Sequence, residues 1–269
     1  MGHSDLSRWL ELACRLADAA GDVARRYFRR SFAVETKSDL SPVTVADREA
    51  EAAMREILAR EAPDHRVIGE EYGRDGGAEG PVWVLDPIDG TKMFVTGRPM
   101  FGTLVGLLLD GRPVLSVIDQ PITGDRWIGC RGQGAFFNGR RMRARRRGRL
   151  AGAVGSTTSP EMFRTARDRA SWAALRERAA FWVWGGDCIG YALMASGFSD
   201  LVLEAGLEVY DCLPLVPVLE EAGACITDWQ GRALGLDSDG HVLAACDPDL
   251  AAEALAQIAA ASGEVTTPT

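Results

Sequence analysis

Histidine is scarce in this sequence, and cysteine is scattered. Only His3, His65 and His241 occur in 269 residues, which argues against a histidine-rich zinc site and against a Ser-His-Asp triad. Cys14, Cys130, Cys188, Cys212, Cys225 and Cys246 form no C-x-x-C pair, and several have apolar neighbours, as in Gly223-Ala224-Cys225-Ile226. Buried, reduced thiols are expected. No apolar run is long enough to span a membrane, and Met1–Arg8 is too polar for a signal peptide. Met1-Gly2 lacks the Ser or Thr of a myristoylation signal, since Leu6 stands there. A cytoplasmic location without a membrane partner is the expectation. Positive charge is short too: the formal net charge is −8, opposite to that of a general polyanion binder. Gly132-Gln133-Gly134 lacks the last glycine of a dinucleotide fingerprint, and no P-loop occurs.

The composition is otherwise that of an ordinary globular chain, 46% hydrophobic and 25% charged, with apolar material enough for a large core. No repeat and no long linker divides it, so a single domain over 1–269 is expected, with halves of about 1–145 and 146–269. Apolar residues from Trp9 through Leu12, Leu16, Ala20 and Val23 to Phe28 recur at helical spacing and predict a first helix ending near Arg30. A second helix starts near Thr44, with Ala46, Ala50, Met54 and Leu58 on one face, and stops before Pro63. The period then changes. Val67-Ile68, Val82–Leu85, Thr103–Leu109, Pro113–Ile118, Arg126–Ile128 and Gly134–Phe137 read as strands, with turns at Asp110-Gly111 and Asn138-Gly139. In the second half, strands at Ala151–Gly155, Phe181–Trp184 and Asp200–Glu204, and near Cys225 and Val242, are expected. Helices at Ser159–Arg178, Asp187–Ser196, Asp211–Ala222 and Pro248–Ala261 alternate with them. Such an order favours helices layered on more than one sheet.

The densest chemical signal is Trp83-Val84-Leu85-Asp86-Pro87-Ile88-Asp89-Gly90-Thr91. A buried strand runs into Asp86, Pro87 turns the chain, and Asp89 returns so that both carboxylates can aim at one point. Gly90 permits close approach of backbone to a ligand, and Thr91 adds a hydroxyl beside free amides. Hard oxygen donors at a turn suit Mg²⁺, which takes few carboxylates and leaves room for phosphate oxygens and water. Taken alone, the motif is equally an Asx-type turn with a helix cap and solvated acids. Two further acidic stretches shift that balance. Gly69-Glu70-Glu71 ends another apolar strand, and the segment from Glu204 to Asp211 carries a carboxylate to a helix start. Acids gathered at strand and helix ends repel one another unless cations neutralise them.

Together these stretches resemble the inositol monophosphatase superfamily of metal-dependent sugar phosphatases, from Lys37-Ser38-Asp39 to Glu221-Ala222-Gly223. The resemblance implies an α/β (α+β) fold, a layered αβαβα sandwich with a mostly antiparallel first sheet, acting as one catalytic domain. It implies a small-molecule phosphate monoester as substrate, two or three Mg²⁺ ions per active site, direct attack by water without a phosphoenzyme, and a homodimer. By the same resemblance Glu70, Asp86 and Asp89 are metal ligands together with the carbonyl of Ile88, and Asp211 completes a second metal site. Asp47, in Thr44-Val45-Ala46-Asp47, works with Thr91 to activate the attacking water, and the amides of Gly90 and Thr91 hold the phosphate.

The stretch Thr91-Lys92-Met93-Phe94-Val95 departs from the Thr-Asn-Phe-Val-His pattern usual in inositol monophosphatases. Phe101–Leu108, Val117–Ile122, Thr157–Phe163 and Gly185–Ala192 look instead like the histidinol-phosphatase branch, which dephosphorylates L-histidinol phosphate in histidine biosynthesis. That substrate carries an ammonium and an imidazole. Asp187 and Glu204 lie on segments that border the active site in this family, and they are the candidates for its cationic end. Asp187 is also a plausible helix cap, and Glu204 suits sugar hydroxyls as well. Inositol-1-phosphate and nucleotide 3′-phosphates are the alternative substrates. Lys92 either adds charge beside the phosphate or is a surface lysine. One feature points to another class altogether. Arg140, Arg141, Arg143, Arg145, Arg146, Arg147 and Arg149 form a basic run of the kind that binds nucleic acid. No aromatics interleave with it, so an exposed strand and loop joining the two halves is expected, with no nucleic-acid partner.

Overall fold

The computed structural model describes residues 3–30, 34–36, 42–76 and 80–263. The Lys37-Ser38-Asp39 end of the resemblance lies outside the described residues. Two main sheets alternate with three layers of helices. The first sheet has eight strands, in the order 140–141, 134–137, 125–130, 112–120, 102–109, 82–89, 66–69 and 73–75. The second has five, in the order 181–184, 154–157, 201–204, 242–245 and 225–227. Helices His3–Tyr27 and Val45–Glu61 cover the outer face of the first sheet. Asp187–Ala195 and the segment 209–221 fill the space between the sheets. Ala166–Arg176 and Pro248–Ser262 pack together beyond the second sheet. This is the expected αβαβα sandwich. In the first sheet only Arg66–Gly69 and Val82–Leu85 pair in parallel, whereas in the second 154–157 runs parallel to both its neighbours.

Local chemistry accounts for most of these elements. Gly102–Leu109 and Arg112–Gln120 are buried on both faces, which is why they read as continuous apolar runs instead of alternating. Asp110 and Gly111 have φ of 51° and 74°, as a two-residue hairpin joining Leu109 to Arg112 requires. Residues of one strand seal two cores by pointing to opposite faces. Trp83 and Leu85 pack with Leu12, Leu16 and Phe94 under the first helices, and Val82 and Val84 pack with Leu203, Leu213 and Leu243 between the sheets.

Three helix boundaries depart from the periodicity. The first helix stops at Tyr27, short of Arg30, because Arg29 takes a left-handed φ of 57° while its Nε donates to the Gly97 carbonyl at 2.9 Å. Ser159–Arg178 is not one helix. Pro160–Met162 form a 3₁₀ turn, and the helix Ala166–Arg176 starts afresh from a capping box of Thr165 and Asp168. Asp211–Ala222 is also broken, into a helix Val209–Cys212, a 3₁₀ turn Leu213–Leu215 and a helix Val216–Glu221. Pro214 and Pro217 lack the N–H that an unbroken helix would use.

The arginine run forms a strap between the halves. Arg140–Arg141 is a short exposed edge strand. Arg145 clasps the buried Asp200 through bonds of 2.5 and 2.6 Å. Asp247 accepts the amides of Arg147 and Gly148 at 2.6 and 2.8 Å. Burial alone would raise the Asp247 carboxyl, but the amides of Leu250, Arg147 and Gly148 outweigh it and hold the group at about 2, below its ordinary 3.8. A depressed carboxyl stabilises the fold above its unfolded pKa, and that stability is lost as pH falls through the folded value. Asp247→Asn should therefore cost about 2 kcal/mol at neutral pH. In urea titrations the gap to the unaltered protein should close as pH falls from about 5 toward 2; a gap independent of pH would show that the carboxylate charge is not what holds the strap.

Candidate active site

The strand Val82–Asp89 delivers two acids to one place because its pairing with Gly102–Leu109 shifts between Asp86 and Asp89, where Pro87 has no N–H to donate. The Asp86 Oδ1 accepts the amide of Ile88 at 3.0 Å. Asp211 arrives from the second half on the helix Val209–Cys212, its Oδ2 accepting the Glu208 amide at 2.8 Å. One carboxylate oxygen from each of Asp86, Asp89 and Asp211 lies within 4.8 Å of the other two. Glu70 joins them through sheet register: Gly69 pairs with Leu85, and the Glu70 amide donates to the Leu85 carbonyl at 3.2 Å. That brings the Glu70 carboxyl near enough to Asp86 for its charge to act on it.

Crowding shows in the electrostatics. Burial first, then the charges of Glu70, Asp89 and Asp211, push Asp86 well above the ordinary 3.8. Asp211 is pushed well up by burial and by Asp89. Burial raises Asp89 as well, against the amide of Cys188, which donates to its Oδ2 at 2.6 Å. The Cys188 thiol is itself driven far up by burial and by Asp89. What remains is a set of hard carboxylate oxygens whose repulsion a divalent cation of the Mg²⁺ type would relieve.

Asp47 and Thr91 are also brought together. Thr44 caps the helix Val45–Glu61, and both its amide (2.8 Å) and hydroxyl (2.5 Å) donate to Asp47 Oδ2. The other oxygen, Oδ1, faces the Thr91 hydroxyl at 3.4 Å, which lies 3.2 Å from the Ile88 carbonyl as well. Burial raises the Asp47 carboxyl, opposed by the bonds from Thr44. Gly90, with φ of 91°, precedes the short helix Thr91–Val95. A Cβ there would lie 3.1 Å from both Asp187 Cγ and the Met100 carbonyl, and the left-handed φ would strain any side chain, so glycine suits this close approach.

The opposite wall belongs to the second half. Asp187 is not a capping side chain: Gly186 holds the cap position, Asp187 has φ of 42°, and its buried Oδ2 has no hydrogen-bond partner among the described residues. Burial, then Asp89, Glu204 and Asp211, push it well up, with Lys92 acting in the opposite sense. Glu204 takes the Thr158 amide (2.8 Å) and hydroxyl (2.6 Å) on Oε1, and the Tyr191 hydroxyl (3.2 Å) on Oε2. Burial lifts it to about 7 despite the bonds from Thr158. Glu70, Asp89, Gly90, Thr91, Asp187, Glu204 and Asp211 line one cavity of about 280 Å³, to which Lys92 and Tyr210 also contribute. Asp47, Asp86 and Ile88 are buried. Sequence reasoning missed Thr158, Tyr191 and the Cys188 amide. The available signal for Thr158 was its place just past the C-terminal end of a parallel strand, where α/β folds gather their sites.

Fold and site together define a phosphatase built on clustered acids. The inositol monophosphatase family matches this chain over residues 5–265. A bifunctional phosphatase, IMPL2, chloroplastic, of Arabidopsis thaliana is 44% identical over 264 residues, covering 95% of this chain and 76% of the relative. A histidinol-phosphatase of Chlorobaculum parvum is 35% identical, covering 87% and 91% of the two chains. The solved inositol monophosphatase from Zymomonas mobilis superposes with a TM-score of 0.86 at 43% identity, covering 94% of this chain and 98% of that one. The chain belongs to the inositol monophosphatase family, whose members are metal-dependent phosphatases, typically using Mg²⁺, acting on small phosphate monoesters.

A carboxyl raised on folding costs nothing below its unfolded pKa and costs progressively more as pH rises toward its folded value. In EDTA, Asp86→Asn should therefore be more stable than the unaltered protein at pH 8. The advantage should vanish as pH falls to about 4. Thermal melts in EDTA across that range check it; equal stability at pH 8 would mean that the acids do not strain the metal-free fold.

Proposed function

We propose that the chain is a Mg²⁺-dependent histidinol-phosphatase, converting L-histidinol phosphate and water to L-histidinol and phosphate. The observation that carries this reading is the unpartnered, buried Asp187 Oδ2 beside Glu204, on the wall facing the acid cluster. The substrate's cationic end supplies what that wall lacks. Inositol-1-phosphate would leave its acids with hydroxyls alone, and a site built for a charged partner discriminates strongly against a substrate without one. Similarity to the histidinol-phosphatase of Chlorobaculum parvum and to that of Mycobacterium tuberculosis, 37% identical over 242 residues, supports it. The Zymomonas mobilis structure and the hydroxyl-accepting Glu204 support inositol-1-phosphate as second reading, and nucleotide 3′-phosphates come after it.

In this reading Glu70, Asp86, Asp89, Asp211 and the Ile88 carbonyl hold two or three Mg²⁺ ions, which when bound neutralise the phosphate and acidify water. The chain's own groups do the rest. Asp47, made more basic by burial, draws on the Thr91 hydroxyl, which orients the attacking water and passes its proton inward. The amides of Gly90 and Thr91 hold the phosphate, and Asp187 and Glu204 fix the cationic end, with the whole chain acting as one catalytic domain. The packing of Val84 and Leu104 against Leu203 and Leu243 supports that single unit. No described helix is long and apolar enough to cross a membrane, and a cytoplasmic location is part of the proposal. A nucleic-acid role has less support, because Arg145 and the Arg147 backbone are engaged within the strap.

A homodimer also belongs to this reading. Its support is the edge strand Phe181–Trp184, where Phe181, Val183 and Trp184 are exposed, as is Phe198. Sedimentation should show a dimer at micromolar concentration that Trp184→Glu weakens; a monomeric unaltered protein would remove this part.

The deciding experiment measures phosphate release from L-histidinol phosphate and inositol-1-phosphate side by side, in Mg²⁺ and in EDTA. Mg²⁺-dependent turnover should favour histidinol phosphate, and Glu204→Gln should reduce kcat/KM for it at least about tenfold, more than for the neutral substrate. Preference for inositol-1-phosphate would overturn the substrate, and equal losses in Glu204→Gln would overturn the role of that acid.

A further inference from the structure

Glu51 lies one helical turn beyond Asp47 on the helix Val45–Glu61 and is fully buried. A buried carboxylate needs partners, and those of Glu51 all converge on one turn. Its Oε2 accepts the Glu71 amide at 2.7 Å, and its Oε1 accepts the Tyr72 amide at 3.3 Å. Arg55, one more turn along the same face, donates from Nε to Oε1 at 2.7 Å and from Nη2 to the Gly73 carbonyl at 2.6 Å. The pair thus grips the turn after Glu70 by two amides and a carbonyl. On its other side Glu70 is tied by its own amide to Leu85, the residue before Asp86. Gly69 completes the fit: a Cβ there would lie 2.1 Å from Glu51 Oε1, so any other residue would push the carboxylate out of the turn.

We propose that Glu51, oriented by Arg55 and admitted by Gly69, is a positioning residue that holds the Glu70 turn so that the Glu70 carboxylate meets Asp86 in the metal site. The inference rests on the reading of Glu70 as a Mg²⁺ ligand. One helix face then sets two parts of the site, Asp47 directly and Glu70 through a buried neighbour. Groups that orient a ligand without touching the metal commonly govern its affinity. Glu51→Gln keeps the shape but turns one acceptor into a donor facing N–H groups.

The test is Mg²⁺ titration by calorimetry of the full chain without substrate, beside melting temperatures. Glu51→Gln should raise the Mg²⁺ dissociation constant on the order of tenfold, with lost phosphatase rate recovered as Mg²⁺ is raised. Asp168→Asn, at a buried helix cap outside the cavity, should lower the melting temperature without moving Mg²⁺ affinity. If Glu51→Gln fails to fold, Arg55→Gln, which keeps the carboxylate but frees it to turn, should weaken Mg²⁺ in the same direction. Unchanged Mg²⁺ affinity in a folded Glu51→Gln, or in Arg55→Gln where that variant stands in, while Glu70→Gln weakens binding, would overturn the positioning role alone. Unchanged affinity in Glu70→Gln would overturn the ligand reading beneath it.

Discussion

Carboxylates confined to one buried space raise one another's free energy, and Asp86, Asp89 and Asp211, with Glu70 beside them, are confined closely enough for that cost to be large. The rest of the chain answers to it. A proline-broken sheet pairing presents two of the acids, a capped helix the third, and a parallel register the fourth. Single backbone amides, from Cys188, Ile88 and Glu208, compensate the oxygens that face inward. None of these amides neutralises a full charge. The fold therefore stores strain at the place where a divalent cation is useful, a common exchange of stability for function.

How much of this could be read beforehand follows the range of each interaction. Asp86 and Asp89 were legible because their relation lies within one strand end, and the start of the second helix near Thr44 because apolar periodicity is local. The hairpins at Asp110-Gly111 and Asn138-Gly139 were legible for the same reason, both asparagine-type residues taking positive φ. Glu70 and Asp211 needed the family resemblance, since nothing local aims them at Asp86. Glu51, Thr158 and Tyr191 stayed hidden. Their meaning comes from groups distant in sequence, and a glutamate on an amphipathic helix ordinarily faces solvent.

Polarity identified two further segments without fixing what each packs against. Phe181–Trp184 is as apolar as any central strand, yet it sits at a sheet edge with most of its large side chains exposed. The arginine run is as basic as a nucleic-acid arm, yet Asp200 and Asp247 draw it onto the protein's own surface. Helix breaks at Pro214 and Pro217 were signalled by the prolines themselves, but apolar periodicity ran through them and outweighed the signal.

The contact of the Cys188 amide with Asp89 joins residues 99 positions apart, and it bears on how the protein is made. A ribosome releases Asp86 and Asp89 while Cys188 and Asp211 are still unsynthesised. At that stage the acids of the first half lack both the Cys188 amide and the third carboxylate, Asp211. The repulsion and the means of relieving it arise in the same late event, when the second half closes over the first. If these acids hold cations as proposed, the complete ligand set exists only once the second half has been made and has folded against the first.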